Sequence, residues 1–300
     1  MLDIYRLRLL RELDRLGTLA AVAKALNYSP SAISQQLSLL ESETGAVLLE
    51  RVGRGVRLTA QARILVRHAD AVLERLELAE AELATSMTEV TGTLRVASFQ
   101  SVLLALIPGA LSGLATAHPG LRVEITQLEA DPAFEGLLAH NVDVVLGEDY
   151  PGLAQPLKRG IDEEDLIHDE MLMAVPASGP WHRRDLADLA GAPFVFDPGD
   201  IVPGRWARSL CRAAGFEPDV RIVSGDLLLQ VRLVETGHAV AFLPDLLWTD
   251  RTHGPLELHP LPGRPRRRLF TGVRTGSAEQ PAIRAFRKAL QVQVGPKRAG

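Results

Sequence analysis

Residues 29 to 43, SPSAISQQLSLLESE, carry side chains able to read a nucleic acid by hydrogen bonding. Ser29 stands at a helix N-cap position, Pro30 in the first turn and Gly45 just beyond the end, so the stretch predicts a helix. Ile33, Leu37 and Leu40 recur at the i, i+4, i+7 spacing of a buried stripe. With about 100° per residue, Ser31, Ser34, Gln35, Ser38 and Ser42 gather on the opposite side. A face meant only for solvent would usually carry Lys and Glu. This one carries hydroxyls and amides, which suit the donors and acceptors of base edges in a major groove. A Ser-rich surface helix is the plainer alternative, and the helix by itself does not choose between them.

The elements around it do. Residues 4 to 16 predict an amphipathic helix through Ile4, Leu7 and Leu10, with Leu9 and Leu13 less regularly placed. Thr18 then caps a short Ala-rich helix, LAAVAKAL, that ends at Asn27-Tyr28. Two helices joined by a tight turn, the second with a readable face, make a helix-turn-helix. LLERVGRGVRLT at 48 to 59 follows as a hairpin pattern turning at Gly53 and Gly55. Its Arg51, Arg54 and Arg57 suit phosphate oxygens or a minor groove, which makes it a wing.

Charge follows the same division. Residues 1 to 68 hold ten Lys/Arg against six Asp/Glu, while the whole chain carries −4. The positive charge is local, where contacts to phosphate need it. Three hundred residues, 46% of them hydrophobic, allow two or three domains with sizeable cores. No apolar run approaches the roughly 20 residues that span a bilayer. The chain enters a charged amphipathic helix directly, which argues against a secretory signal and for the cytoplasm, with no membrane association. The single Cys211 excludes an internal disulfide and a Cys-based metal cluster, and it reads as a small buried residue. No cofactor and no metal are expected.

From Thr59 to about Thr88 there is neither Gly nor Pro. Leu65, Ala69, Val72, Leu76, Ala79 and Leu83 form a 4-3-4-3-4 seam on an otherwise polar helix, which predicts pairing with a second copy. Beyond Gly92 the rhythm becomes strand and helix in alternation: strand 93–98, helix 101–118, strand 121–128, helix 132–139 and strand 142–147. After the charged stretch IDEEDLIHDE it resumes with strand 171–175, a short helix, strand 193–196, helix 203–214, strand 220–224, helix 226–236 and strand 239–243. A last pair, 267–273 and 280–292, returns to the first half. This pattern implies two α/β lobes with chain crossings near 160 to 163 and 264 to 267, and a cleft between them for a small molecule.

With these elements in order, the chain resembles the LysR-type family of bacterial transcriptional regulators over nearly its full length. The motifs that carry the resemblance are LAAVAKALNYSPSAISQQLSLLE, GAVLLERVGRGVRLT and TGTLRVASFQSVLLALIP. It implies an N-terminal, mostly α winged helix-turn-helix over 1–59, a dimerising linker helix over 60–90, and an effector domain over 91–300. That domain would be a two-lobed α/β fold resembling type 2 periplasmic binding proteins, with lobe 1 at 91–162 and 267–295 and lobe 2 at 163–266. The resemblance also implies a homodimer assembled into a homotetramer, binding to double-stranded DNA and contact with RNA polymerase. The matching DNA-facing residues are Ser29, Pro30, Ser31, Ser34 and Gln35, with Arg51 and Arg54 in the wing. Members commonly show Pro and a small residue after the wing, where this chain has Ala60, Gln61 and Ala62; the departure would stiffen or extend the start of the linker helix.

In that family the small-molecule effector lies between the lobes. Here strand ends and helix starts place Phe99, Gln100, Ser101, Glu148 and Asp149 in the first lobe, and Asp197, Ser224, Asp226 and Phe242-Leu243-Pro244 in the second. Ser101 and Asp226 read equally as helix N-caps and as ligand contacts. The acidic bias points to an effector with an amino group. Two other functions fit less well. An enzyme would need a motif such as HExxH, GxSxG or a P-loop, and none is present. A solute-binding protein would lack a use for the DNA-reading front. A DNA-binding regulator that no longer senses a ligand remains compatible with every residue named.

Overall fold

The computed structural model describes residues 1–26, 28–53, 55–87, 89–153, 160–249 and 254–295. The head opens with α1 (Ile4–Leu16), α2 (Leu19–Leu26) and α3 (Pro30–Thr44). Each begins at a polar cap: Asp3 accepts from the Arg6 amide at 3.1 Å, Thr18 from Ala21 at 3.1 Å and Ser29 from Ala32 at 3.2 Å. Leu9, Leu10, Leu13, Ile33, Leu37 and Leu40 are fully buried together, so the periodic stripes meet as expected. The wing is β1 (Leu49–Val52) paired antiparallel with β2 (Gly55–Leu58). Glu41 of α3 holds its base, accepting from the backbone amides of Leu48 and Leu49 at 2.8 and 3.0 Å.

The linker helix, α4 (Ala60–Thr85), starts at once after the wing because the Thr59 hydroxyl caps the Ala62 amide at 3.1 Å. Its seam divides. Ala69 is buried in the head's core and Leu65 packs at its edge, whereas Val72, Leu76 and Leu83 remain exposed.

The second half holds two lobes. In the first, β3 (Gly92–Ser98) lies parallel to β4 (Leu121–Gln127) and β5 (Val144–Asp149), and β11 (Arg266–Arg274) runs antiparallel to β5. In the second, β7 (Pro193–Phe196) pairs parallel with β8 (Asp219–Val223). The helices are α5 (Gln100–Ala105), α6 (Ile107–Ala117), α7 (Ala130–Leu138), α8 (Val202–Ala213), α9 (Leu227–Glu235) and α10 (Pro281–Val294). The helix expected over 101–118 is thus two helices, broken at Leu106 ahead of Pro108, where a missing N–H is tolerated at a helix start. The short helix expected in the second lobe is a 3-10 turn at Leu186–Leu189.

The largest correction concerns IDEEDLIHDE. This segment is not a separate charged connection but the first part of a 16-residue strand, β6 (Ile161–Pro176). Residues 161–170 pair with β11, and 171–176 pair with β9 (Ala241–Pro244) and β10 (Leu256–Pro260), a strand the periodicity did not indicate. The strand therefore leaves the first lobe at Glu170–Met171, not near 160 to 163. The reason is the arginines beside it. Arg268 binds Glu163, Asp165 and Asp149, and Arg287 binds Asp162, so a run of acids that would repel itself is held in a sheet.

Gly204 in α8 lies against the backbone carbonyls of Asp197 and Pro198, so an added Cβ would overlap both. Ala in a helix interior is ordinarily favoured over Gly by up to about 1 kcal/mol. Overpacking against backbone costs about 1–3 kcal/mol and dominates. Gly204→Ala is therefore expected to lower the urea midpoint; an unchanged or higher midpoint would show that the 197–198 loop yields freely.

Candidate DNA-reading face and inter-lobe cleft

On the head, Ser31, Ser34, Gln35 and Ser38 are exposed on α3 as the periodicity placed them. Ser29 is the cap, and its hydroxyl also lies 3.0 Å from that of Ser31, so these two side chains are partly committed to the helix start. Pro30 occupies the first turn. Ser34, Gln35 and Ser38 carry the rest of this polar face. In the wing Arg51 is exposed, while Arg57 pairs across the hairpin with Glu50 at 2.8 Å. Arg54 lies outside the described residues.

The cleft between the lobes brings most of the predicted effector residues to one cavity, while Asp226 is not among those lining it. Phe99, Gln100, Ser101, Glu148, Asp197 and Pro244 line one cavity of about 560 Å³, counting its open mouth. What the sequence did not show is Arg267, 3% exposed, at its floor. Its guanidinium donates to Asp169 from Nε and Nη2 at 2.9 and 2.7 Å, to Glu148 from Nη1 at 2.7 Å and to the Ser101 hydroxyl from Nη2 at 2.7 Å. The Phe99 ring lies 5.5 Å from it. Asp169 in turn accepts from the Leu246 amide at 2.8 Å, tying the turn after β9, whose Leu246 packs in the first lobe's core, to the network. Burial opposes the Arg267 charge, but Asp169, with Tyr150 and Glu148, holds it above its ordinary range.

Two of the ambiguous residues resolve. Ser101 is not a cap, since Phe99 stands at the N-cap; its hydroxyl serves Arg267. Asp226 is a cap, accepting from Leu228 at 2.9 Å, and it also accepts from Gln100 Nε2 at 3.0 Å. The Gln100 carbonyl accepts from the Leu227 amide at 2.7 Å, so this one side chain clasps the two lobes across the cleft. Asp149 is occupied by Arg268.

A further acid, Glu129, faces the same space. It lies two residues beyond β4 as Gln100 lies two beyond β3, so the strand-end rule would have found it. Burial, then the nearby Glu148, raises its pKa. Burial raises that of Glu148 despite Arg267. Asp197 is pushed up to about 7, first by burial and then by Glu148; Gln230 Nε2 donates to it at 3.4 Å. The cleft thus holds more carboxylate than its one arginine can neutralise.

The first lobe also meets the head. Arg8 and Arg11 of α1 donate to the carbonyls of Ala139 and Leu138 at the end of α7, at 2.8 and 3.3 Å. Arg274 ties Glu77 of α4 to the same corner at 2.7 Å. Glu129 is the residue before α7, so this helix runs from the cleft to the head.

A family model of the bacterial regulatory helix-turn-helix protein, lysR family, matches residues 4–63, and one of the LysR substrate binding domain matches 88–294. The chain belongs to the LysR family of transcriptional regulators. The HTH-type transcriptional regulator ClcR of Pseudomonas putida is 27% identical over 240 residues, 78% of this chain and 81% of that one. Full-length CbnR in complex with its target DNA is 25% identical with a TM-score of 0.53, covering 97% of this chain and 100% of that one. A full-length OxyR variant from Pseudomonas aeruginosa shares the fold at a TM-score of 0.65, with 18% identity and coverage of 97% and 95%. As a LysR regulator the protein is a DNA-binding regulator of transcription whose activity a small-molecule effector modulates. Among the described residues no helix is long and apolar enough to cross a membrane.

With its folded pKa above its unfolded one, Asp197 favours the folded state at low pH, and this contribution is lost as pH rises from about 4 through about 7. Asp197→Asn removes the titration. Its melting temperature is expected to exceed that of the parent at pH 8 and to change less between pH 5 and 8. Parallel pH profiles for the two proteins would show that Asp197 titrates as an ordinary carboxylate.

Proposed function

We propose that this LysR regulator acts as a tetramer of paired dimers, reads its operator with Ser34, Gln35 and Ser38, and senses a metabolite carrying an amino group. The division into head 1–59, linker 60–90 and sensor 91–300 belongs to the same reading. The observation that carries the effector class is the carboxylate excess of the cleft. Asp169 and Glu148 share the charge of Arg267, while Glu129 and Asp197 face the same space with raised pKa values. An ammonium group there would favour the charged form of each carboxylate, whereas a carboxylate would add to the repulsion. Action on chromosomal DNA together with RNA polymerase, part of the same reading, would put the protein in the cytoplasm.

Dimerisation rests on the exposed half of the linker seam. Val72, Leu76 and Leu83 are 41%, 41% and 63% exposed on a helix whose other face is already packed. Solvent exposure of large apolar residues at heptad spacing is what a second linker helix would cover. The seam begins C-terminal to Leu65, which serves its own head.

Placing Asp at both Val72 and Leu76 would bury unpaired charge in that pair, which such an interface does not tolerate. Sedimentation of the double variant is expected to show loss of the dimer together with weaker operator binding; unchanged mass would place the interface elsewhere. On the head, Gln35→Ala is expected to cost about 1–3 kcal/mol of sequence discrimination. Arg51→Ala is expected to weaken all sequences alike and to lower the salt slope by about one unit. Binding titrations against operator and scrambled DNA at two salt concentrations separate the two effects, and an unaltered preference in Gln35→Ala would remove that residue from base readout. Thermal-shift titration of the full-length protein with amines and with carboxylates of matched size tests the effector class, since a ligand selective for the folded state raises its melting temperature. A response to carboxylates alone would overturn it.

A further inference from the structure

The cleft does not end at its carboxylates. Beyond Glu129, Glu148 and Pro203, which line both parts, lies an outer compartment of about 750 Å³, counting its open mouth. It opens between the start of α7 in the first lobe and the start of α8 in the second. Phe134 and Phe270 form its floor, stacked with ring centroids 6.2 Å apart. Pro132, Ile201 and Val202 complete an apolar wall. The cation at its edge, Arg268, lies 4.3 Å over the Phe270 ring and is already bound by Asp149, Glu163 and Asp165. It therefore offers an anionic ligand little charge.

A small hydrophilic amine would satisfy the carboxylates and leave this wall against water. An apolar acid would fill the wall and set its charge beside Glu129 and Glu148. Only a molecule with an ammonium group at one end and an apolar body at the other matches both parts at once. We propose that the effector is such an amphipathic amine, its ammonium among Glu129, Glu148 and Asp197 and its ring or branched chain between Phe134 and Ile201. This rests on the amine reading above and adds the second compartment to it. Because Ile201 and Val202 belong to the second lobe and Phe134 to the first, the apolar body touches both lobes. A ligand that does so can favour one arrangement of them over another.

The test is calorimetric titration of the full-length protein with three probes: 2-phenylethylamine, ethylamine and 3-phenylpropionate. Burial of a ring's worth of apolar surface is expected to make phenylethylamine bind about 10- to 100-fold more tightly than ethylamine. Phenylpropionate is expected not to bind. Ile201→Asn should bring phenylethylamine down to the level of ethylamine without changing ethylamine, and Val202→Ser provides the same comparison should the first variant melt early. Glu129→Gln, at a cap position whose side chain makes no capping bond, should weaken both amines alike. Equal affinities for the two amines would overturn the outer compartment and leave the amine reading intact. Binding of phenylpropionate alone, or of none of the three, would overturn both.

Discussion

Arg267 governs the sensor domain because a buried guanidinium must be answered from several directions at once. It stands in β11 where the two lobes join, and its partners come from β5, β6 and α5. Removing one member of such a pair typically costs about 3–5 kcal/mol, since the other charge stays buried and alone. The network is thus both floor and fastening. It fixes Glu148 and Ser101 at the cleft, and through Asp169 and the Leu246 amide it holds the turn by which the chain leaves β9 against the first lobe. A ligand that drew Glu148 toward itself would change the balance at the joint, which links the chemistry of the site to the geometry of the domain.

The joint itself is stiff in one direction. β6 runs without interruption from one lobe into the other, paired with β11 before Glu170 and with β9 and β10 after it. A strand shared by two sheets permits twist more readily than separation. The Gln100 side chain bonds the two lobes directly, to the amide at the start of α9 and to its cap Asp226. Occupant, clasp and shared strand therefore act on the same angle between lobes.

On the far side, α7 connects this cleft to the DNA-binding head. Its first residues line the outer compartment, and its last carbonyls accept hydrogen bonds from Arg8 and Arg11 of α1. Guanidinium groups at a helix C-terminus are favourably placed against its dipole. His140, next in the chain, sits among Arg274, Arg8 and Arg11, and burial with these charges pushes its pKa down to about 2, so the corner contains no further positive charge. The head is thus seated on the sensor through polar contacts of Arg8, Arg11 and Arg274.

The head was legible in the sequence because its signals are local. Caps at Ser29 and Thr18, the Ile33-Leu37-Leu40 stripe and the Gly53 turn act within a few residues, so periodicity and capping chemistry suffice. The polar face of α3 followed from the same arithmetic. Alternation also placed most strands and helices of the lobes, and the positions of Phe99, Gln100, Glu148 and Asp197 followed from strand ends. What only the tertiary structure decided depends on partners distant in the chain. Ser101 and Glu148 meet Arg267 across 166 and 119 residues, which turns one apparent cap and one apparent loop acid into members of a buried ion network. Charge made IDEEDLIHDE read as a connection, and only the arginines of β11 and α10 make it a strand. The linker seam looked uniform, yet packing on α1 claims Ala69 and the edge of Leu65 and leaves Val72, Leu76 and Leu83 uncovered, because a helix has one periodicity but can meet two neighbours.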